Sequence, residues 1–255
     1  MADLRNFQTQ AGVRADAAVD QGLRAYMLKV YNLMAGGVAL TGAAAYGLSA
    51  LATTSDPSQA AAQMGNIMLT SLGVAIYTSP LRWVILLAPL ALVFFLSFRV
   101  QKMSASAAQT TFWVYAGLMG LSLSSIFLVY TGASLTQTFF VTAASFGALS
   151  LYGYTTKRDL SAMGSFLVMG LFGLIIASLV NLFLASSALN FAISVIGVLI
   201  FAGLTAWDTQ KIKENYFEAD GHEVASKKAV MGALTLYLDF INLFLFLLRF
   251  MGDRR

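Results

Sequence analysis

Residues 103–156 read MSASAAQTTFWVYAGLMGLSLSSIFLVYTGASLTQTFFVTAASFGALSLYGYTT, and none of them is Asp, Glu, Lys or Arg. A charge at mid-bilayer costs roughly 2.5–3.5 kcal/mol on insertion scales, so uncharged runs mark membrane spans. About 20 apolar residues cross the hydrocarbon core as a helix, and this run is too long for one crossing. Tyr130-Thr131-Gly132 offers a turn that divides it into spans near 108–130 and 134–155. The same ruler applied outward gives Val30–Ser55 and then Leu81–Phe98, the latter interrupted by Arg82 and expected to kink at Pro89. Leu160–Trp207 divides around Ser186-Ser187 into spans near 163–185 and 189–208. Ala229–Phe250 is a seventh apolar segment, broken by Asp239 and Asn242. The uncharged stretch Ala60–Thr78 holds Gln63, Asn66, Thr70 and Ser71, and reads as a loop or interfacial helix. The fold class is therefore all-α, a polytopic membrane bundle of about seven transmembrane helices.

Composition agrees. Of 255 residues, 58% are hydrophobic and 11% charged, against ~45–50% and ~25% in soluble domains. That excludes a water-soluble fold and makes membrane lipid the first expected partner. The net charge of +4 does not point to nucleic acid, because the basic residues stand in ones and twos between apolar runs. The absence of cysteine excludes disulfides, thiolate nucleophiles and Cys-ligated metals. No phosphate-binding glycine loop, HExxH or GxSxG is present, so neither an enzyme nor a cofactor is expected. Glycines at 117, 120, 164, 170 and 173 read as close-packing positions between helices. No basic start precedes an early apolar run, so no cleavable signal peptide is expected and the first span acts as the signal.

The basic residues set orientation. Arg5, Arg14, Arg24, Lys29, Arg99, Lys102, Lys157, Arg158, Lys211, Lys213, Lys227 and Lys228 fall on the amino-terminal side of the spans, and Arg82 alone on the other. The positive-inside rule then places the amino terminus, residues 1–28, in the cytoplasm, with the transmembrane domain over 29–255. Arg249, Arg254 and Arg255 conflict with a full seventh crossing: either the rule fails there, or residues 229–250 are short or re-entrant. We expect a helix buried among the others, because a charged Asp239 should not face lipid.

Two carboxylates resist a topological explanation. Asp208 alone reads as an interfacial residue capping a helix end beside Lys211 and Lys213, whereas Asp239 lies ten residues from both Ala229 and Arg249 and needs a partner. If the two meet, they share a proton; protonated they tie the helices, and deprotonated they repel and expose oxygens suited to a hard cation such as Ca²⁺. Two carboxylates make a weak Ca²⁺ contact, fit for passage rather than storage. A last helix starting at Ala229 puts Asp239 roughly 15 Å deep, so pairing requires entry nearer Leu234 or a preceding helix that continues past Trp207. Asn242 stands one helical turn from Asp239, within reach of it. Arg99 and Lys102 read as membrane anchors that can also reach an acid as a latch, and His222 as an exposed loop residue.

The segments FAGLTAWDTQKIK at 201–213, ALTLYLDFINLF at 233–244 and Leu247-Leu248-Arg249 resemble the Bax inhibitor family, the transmembrane BAX-inhibitor-motif proteins, including its bacterial members. The match covers residues 201–255; the long first loop, 53–80, departs from it. The resemblance implies seven helices with the last one central and surrounded by the other six, and a bacterial inner (plasma) membrane location. It also implies that Asp208 and Asp239 form a pH-sensing diacid at a Ca²⁺ leak pore, with an arginine near the end of the second helix bonding the pair when the pore is shut. Arg99 occupies that region, with Lys102 as the competing choice. The expected function is thus a pH-sensitive cation leak. The alternative is a regulatory protein that binds a membrane protease or other membrane machinery through residues 1–28 or the 209–228 loop. An intramembrane aspartyl protease is disfavoured, since Trp207-Asp208 lacks the GxGD-type context.

Overall fold

The computed structural model describes residues 2–255, with side chains from residue 20 onward, so most of the expected 1–28 segment, Arg5 and Arg14 included, lies outside the described side chains. Helix α1 (Ala2–Ala52) passes through the expected boundary at residue 28 without a break. A three-stranded sheet and a short helix, α2 (Ser71–Tyr77), follow. Then come α3 (Leu81–Arg99), α4 (Ala105–Leu123), the single turn α5 (Ile126–Val129), α6 (Gly132–Thr155), α7 (Ser161–Leu184), α8 (Ser187–Glu214) and α9 (His222–Met251). Helix α3 continues through the buried Pro89.

The two turns expected within the long uncharged runs are built by hydroxyl caps. Thr131 accepts from the amide of Ser134 to start α6, and Ser186 accepts from that of Leu189 to start α8. Helix α7 ends at Ala185, in the left-handed region with φ of 47°.

Six of the helices, α1, α3, α4 with α5, α7, α8 and α9, are long and apolar enough to cross a membrane. Helix α6 has the length, with 24 residues, but falls short in hydropathy because Ser134, Thr138, Thr142 and Ser150 recur along it. All four are buried, so its polar stripe faces protein rather than lipid. Outside, Phe98, Phe183 and Leu182 are almost bare, Phe183 being 90% exposed. The all-α membrane bundle read from the sequence is the fold observed.

Helix α9 is the hub. It packs on α1, α4, α6 and α8, while α3 packs chiefly on α4 and α7 on α8. Four helices, rather than all six, form its principal contacts. The hydroxyl of Tyr237 on α9 lies 2.6 Å from Thr41 Oγ1 on α1, which donates to the Ala116 carbonyl of α4 at 2.8 Å. Since the Thr41 proton is used there, Tyr237 donates to Thr41. Phe112 and Tyr115 meet the Tyr237 ring edge-on at 5.8 and 5.6 Å.

Where a loop or interfacial helix is expected over Ala60–Thr78, the second half holds the short helix α2 and the first half joins a small sheet. Strands β1 (Thr53–Thr54), β2 (Ala62–Met64) and β3 (Ile67–Leu69) pair antiparallel with β3 central, and Gly65 turns the hairpin at φ of 58°. Strands this short carry no legible period. Between β1 and β2, the Ser58 hydroxyl and amide both donate to Asp56, holding its carboxyl below the usual range.

The chain's far end settles the choice left open for the last segment. Helix α9 runs its full length from the 215–221 loop, and Asp253 O accepts from Thr131 N at 3.1 Å, while Arg255 N donates to Val129 O at 2.9 Å. The carboxy-terminal tail therefore lies at the end opposite Arg99, Lys102 and the 215–221 loop, and the arginine pattern misleads there.

Of the glycines expected to allow close approach, Gly120, Gly164 and Gly170 meet a neighbouring helix, whereas Gly117 and Gly173 face open space. Gly153 on α6 lies against backbone: a Cβ there would overlap the Ala206 carbonyl of α8. Gly153→Leu is expected to lower the melting temperature in detergent by roughly 2–12 °C, from an overpacking cost of ~1–3 kcal/mol at ~2–4 °C each. Gly117→Leu, with nothing within 4 Å of its Cβ position, is the control expected to leave it unchanged.

Candidate functional site

The site follows from the antiparallel register of α8 and α9. Gly232 on α9 accepts the Ile212 side chain of α8, and farther along Gly197 on α8 accepts the ring of Phe246. This register sets Asp208 opposite Asp239. The depth problem is resolved because α8 continues past Trp207 to Glu214, while the first turns of α9 project beyond the end of α8.

Both acids are buried, at 9% exposure for Asp208 and 4% for Asp239, and their carboxyl groups stand within hydrogen-bonding reach of each other. Oδ2 of Asp239 is buried with no hydrogen-bond partner. Two carboxyls so placed repel when both are ionised and are joined by a hydrogen bond when one holds a proton. Lys211, one turn beyond Asp208, is the cation whose field reaches it, but its ammonium sits 4.8 Å over the Trp207 ring. The ion pair found among the described residues is elsewhere, between Lys228 and Asp220 at 2.5 Å. No third His, Cys, Asp or Glu joins the two acids among the described residues.

The pair stands at a partition between two cavities. One, of about 290 Å³, is lined by Tyr26, Gln101, Lys211, Lys227 and Lys228. The other, of about 630 Å³, lies between α7, α8 and α9 and is lined by Leu171, Phe201, Leu238, Asn242 and Phe246. Asp208 and Thr235 line both cavities, and Asp239 lines the larger. Met231, Thr235, Leu238, Asn242 and Phe246 form a half-exposed stripe on α9 at helical spacing through both.

The remaining candidates are not drawn in. Arg99 and Lys102 are exposed, and neither pairs with an acid among the described residues; the 3₁₀ turn Val100–Lys102 instead presents Val100 and Gln101 to the smaller cavity. The Asn242 amide donates to its own helix at Leu238 O, 2.8 Å away, rather than to Asp239, although it lines the same cavity as the acid. His222 is exposed at the start of α9.

Sequence reasoning missed the polar groups that hold the α8 motif. Thr209 Oγ1 donates to Thr205 O at 2.7 Å, so Ser150 donates to Thr209 at 2.8 Å and Tyr31 to Ser150 at 2.7 Å. This chain ties α8 to α6 and α1 beside the acids. Gln210, 5% exposed, accepts from Leu160 N and donates to Arg158 O, both at 2.8 Å. Lys213 donates to Tyr154 O at 2.8 Å. The available signal was a run of hydrogen-bonding side chains continuing an apolar helix.

The family model described as "Inhibitor of apoptosis-promoting Bax1" matches residues 23–255. The chain belongs to the Bax inhibitor family. Among its Bax inhibitor relatives, the inner membrane protein YbhL of Escherichia coli K12 is 46% identical over 246 residues, covering 95% of this chain and 98% of YbhL. A protein of Rickettsia prowazekii is 52% identical over 238 residues, covering 92% of each chain. A membrane protein of Streptococcus pyogenes serotype M3 is 38% identical over 233 residues, covering 91% and 94%. The Bax inhibitor family match extends well beyond the 201–255 segment that carried the resemblance.

Gln210→Leu strands a buried amide and a carbonyl, and is expected to cost ~1–3 kcal/mol in thermal unfolding. Asp239→Asn, which removes a buried carboxyl and retains its shape, is expected to change stability by less in the same assay.

Proposed function

We propose that this multi-pass Bax inhibitor family protein is a pH-sensitive cation leak, with Ca²⁺ as its ion, gated by Asp208 and Asp239. One observation carries the reading: the two acids meet where the two cavities abut, with Asp208 lining both. The name of YbhL supports an inner-membrane location, and the distribution of Lys and Arg supports a cytoplasmic amino terminus.

The chemistry is that of a shared proton. With one proton between them, the carboxyls bind each other, hold α8 to α9 and close the partition. With none, they repel, the helices part and the cavities join. The exposed carboxylate oxygens then offer a hard cation a weak contact suited to passage. The charged and titratable groups facing this space are Lys211, Lys227, Lys228 and Tyr26, all lining the smaller cavity; among the described residues the lining of both cavities holds no acid beyond the pair. The sign follows: loss of the proton opens the path, so flux rises with pH.

In proteoliposomes loaded with a Ca²⁺-sensitive dye, flux is expected to increase as pH rises through the titration of the pair. Asp208→Asn and Asp239→Asn keep a hydrogen bond without a titrating pair, and each is expected to reduce the pH response at least ~10-fold, equivalent to ~1.4 kcal/mol. Flux and pH response identical to the parent in both variants would overturn the proposal.

A further inference from the structure

Where α1 and α6 diverge, at the end of the bundle that carries Lys211 and Lys213, a groove of about 690 Å³ opens on the bundle's side. Its walls are apolar, formed by Met27, Leu28, Phe146 and Leu151. Leu28 and Leu151 are exposed at 51% and 63%. Gly147, an exposed lining residue, has nothing within 4 Å of its Cβ position, so no neighbour fills the space over it. The Tyr31–Ser150 hydrogen bond crosses the groove and satisfies its deep polar groups internally.

The mouth is cationic. Arg24 lines it, is exposed and has no ion-pair partner among the described residues. Lys213, beyond the groove's lining, lies 5.4 Å over the ring of Tyr154, which does line it, and donates to the Tyr154 carbonyl. An ammonium has three donors, so two remain for a ligand. From Arg24 to Tyr31 the groove descends seven residues of α1, roughly 10 Å at 1.5 Å per residue, about the depth from a headgroup phosphate to the upper acyl chain.

The groove thus joins one lining cation, Arg24, and a second beside its lining Tyr154, Lys213, to an apolar channel. A second groove on α1, lined by Thr41, Tyr46, Phe127, Phe139 and Phe244, has a comparable apolar lining and no charged side chain. Charge therefore distinguishes the first groove from this second one, and Arg24 is free, among the described residues, of the aromatic stacking that holds Arg82 over Trp83 in a third. We propose that the α1–α6 groove is a binding site for one anionic phospholipid, its phosphate held by Arg24 and Lys213 and an acyl chain lying along Met27, Phe146 and Gly147.

The test is native mass spectrometry of the full-length protein released from detergent after titration with phosphatidylglycerol or phosphatidylcholine. One phosphatidylglycerol is expected to stay bound at concentrations where phosphatidylcholine does not. Arg24→Gln is expected to weaken it about fivefold, the effect of one basic side chain at an anionic lipid, with Arg24→Lys retaining it. Gly147→Leu, which fills the channel and leaves both cations in place, is expected to reduce it as well. Glycerol 3-phosphate, carrying the headgroup without chains, is expected not to compete. Equal retention of the two lipids, unchanged binding in both Arg24→Gln and Gly147→Leu, or displacement by glycerol 3-phosphate would overturn the proposal.

Discussion

An acid placed among apolar side chains, away from water, has to find its partner within the protein. Asp239 finds another acid. That contact constrains more of the bundle than its size implies. Helix α9 has to sit where a second helix can bring a carboxyl to it, α8 has to run far enough to deliver Asp208, and the glycines at 197 and 232 let the two helices keep the register. Packing at those glycines sets which turn of α8 faces which turn of α9. The polar pair is accommodated within that register, at the expense of a buried Oδ2 left without a hydrogen bond.

Around this pair, several of the bundle's other polar groups are satisfied by short links between helices, while Thr138 Oγ1 is buried without a partner among the described residues. Thr41 with Tyr237, Tyr31 with Ser150 and Thr209, and Gln210 with the α6–α7 loop each join helices through hydroxyls or amides. In lipid no water replaces a missing partner, so such links matter most where a polar side chain faces inward. The result is asymmetric. One side of α8 is tied to α6 and α1 through Thr209, while the other borders the large cavity shared with α7 and α9. The acids lie between a braced side and an open one.

Much of this was legible in the residues. Span positions followed from uncharged runs because the bilayer penalises charge so heavily, and the turns at 130–132 and 186–187 were legible because Thr131 and Ser186 are good cap residues. Asp208 and Asp239 stood out as charges without a topological reason. What stayed hidden was tertiary. Nothing local says that the Asn242 amide returns to Leu238, or that the 3₁₀ turn after Arg99 leaves that side chain exposed while Gln101 faces the cavity. The small sheet over 53–69 was illegible because strands of two or three residues have no periodicity. The polar stripe of α6 is a related case, since its serines and threonines lower the hydropathy of a helix whose inward face needs them.

The carboxy-terminal tail, fastened to Thr131 and Val129 at the end opposite the basic cluster, bears on how the chain is assembled. Helix α9 shows little of itself to lipid, carries an acid in its middle, and places Arg249, Arg254 and Arg255 at the side that Lys and Arg otherwise avoid. Its hydropathy suffices for a crossing, but its flanking charges do not favour insertion in that direction. Synthesis delivers it after α1, α4, α6 and α8, the helices it packs on. Helix α9 thus acts as a keystone, its surface matched to the socket those four helices form.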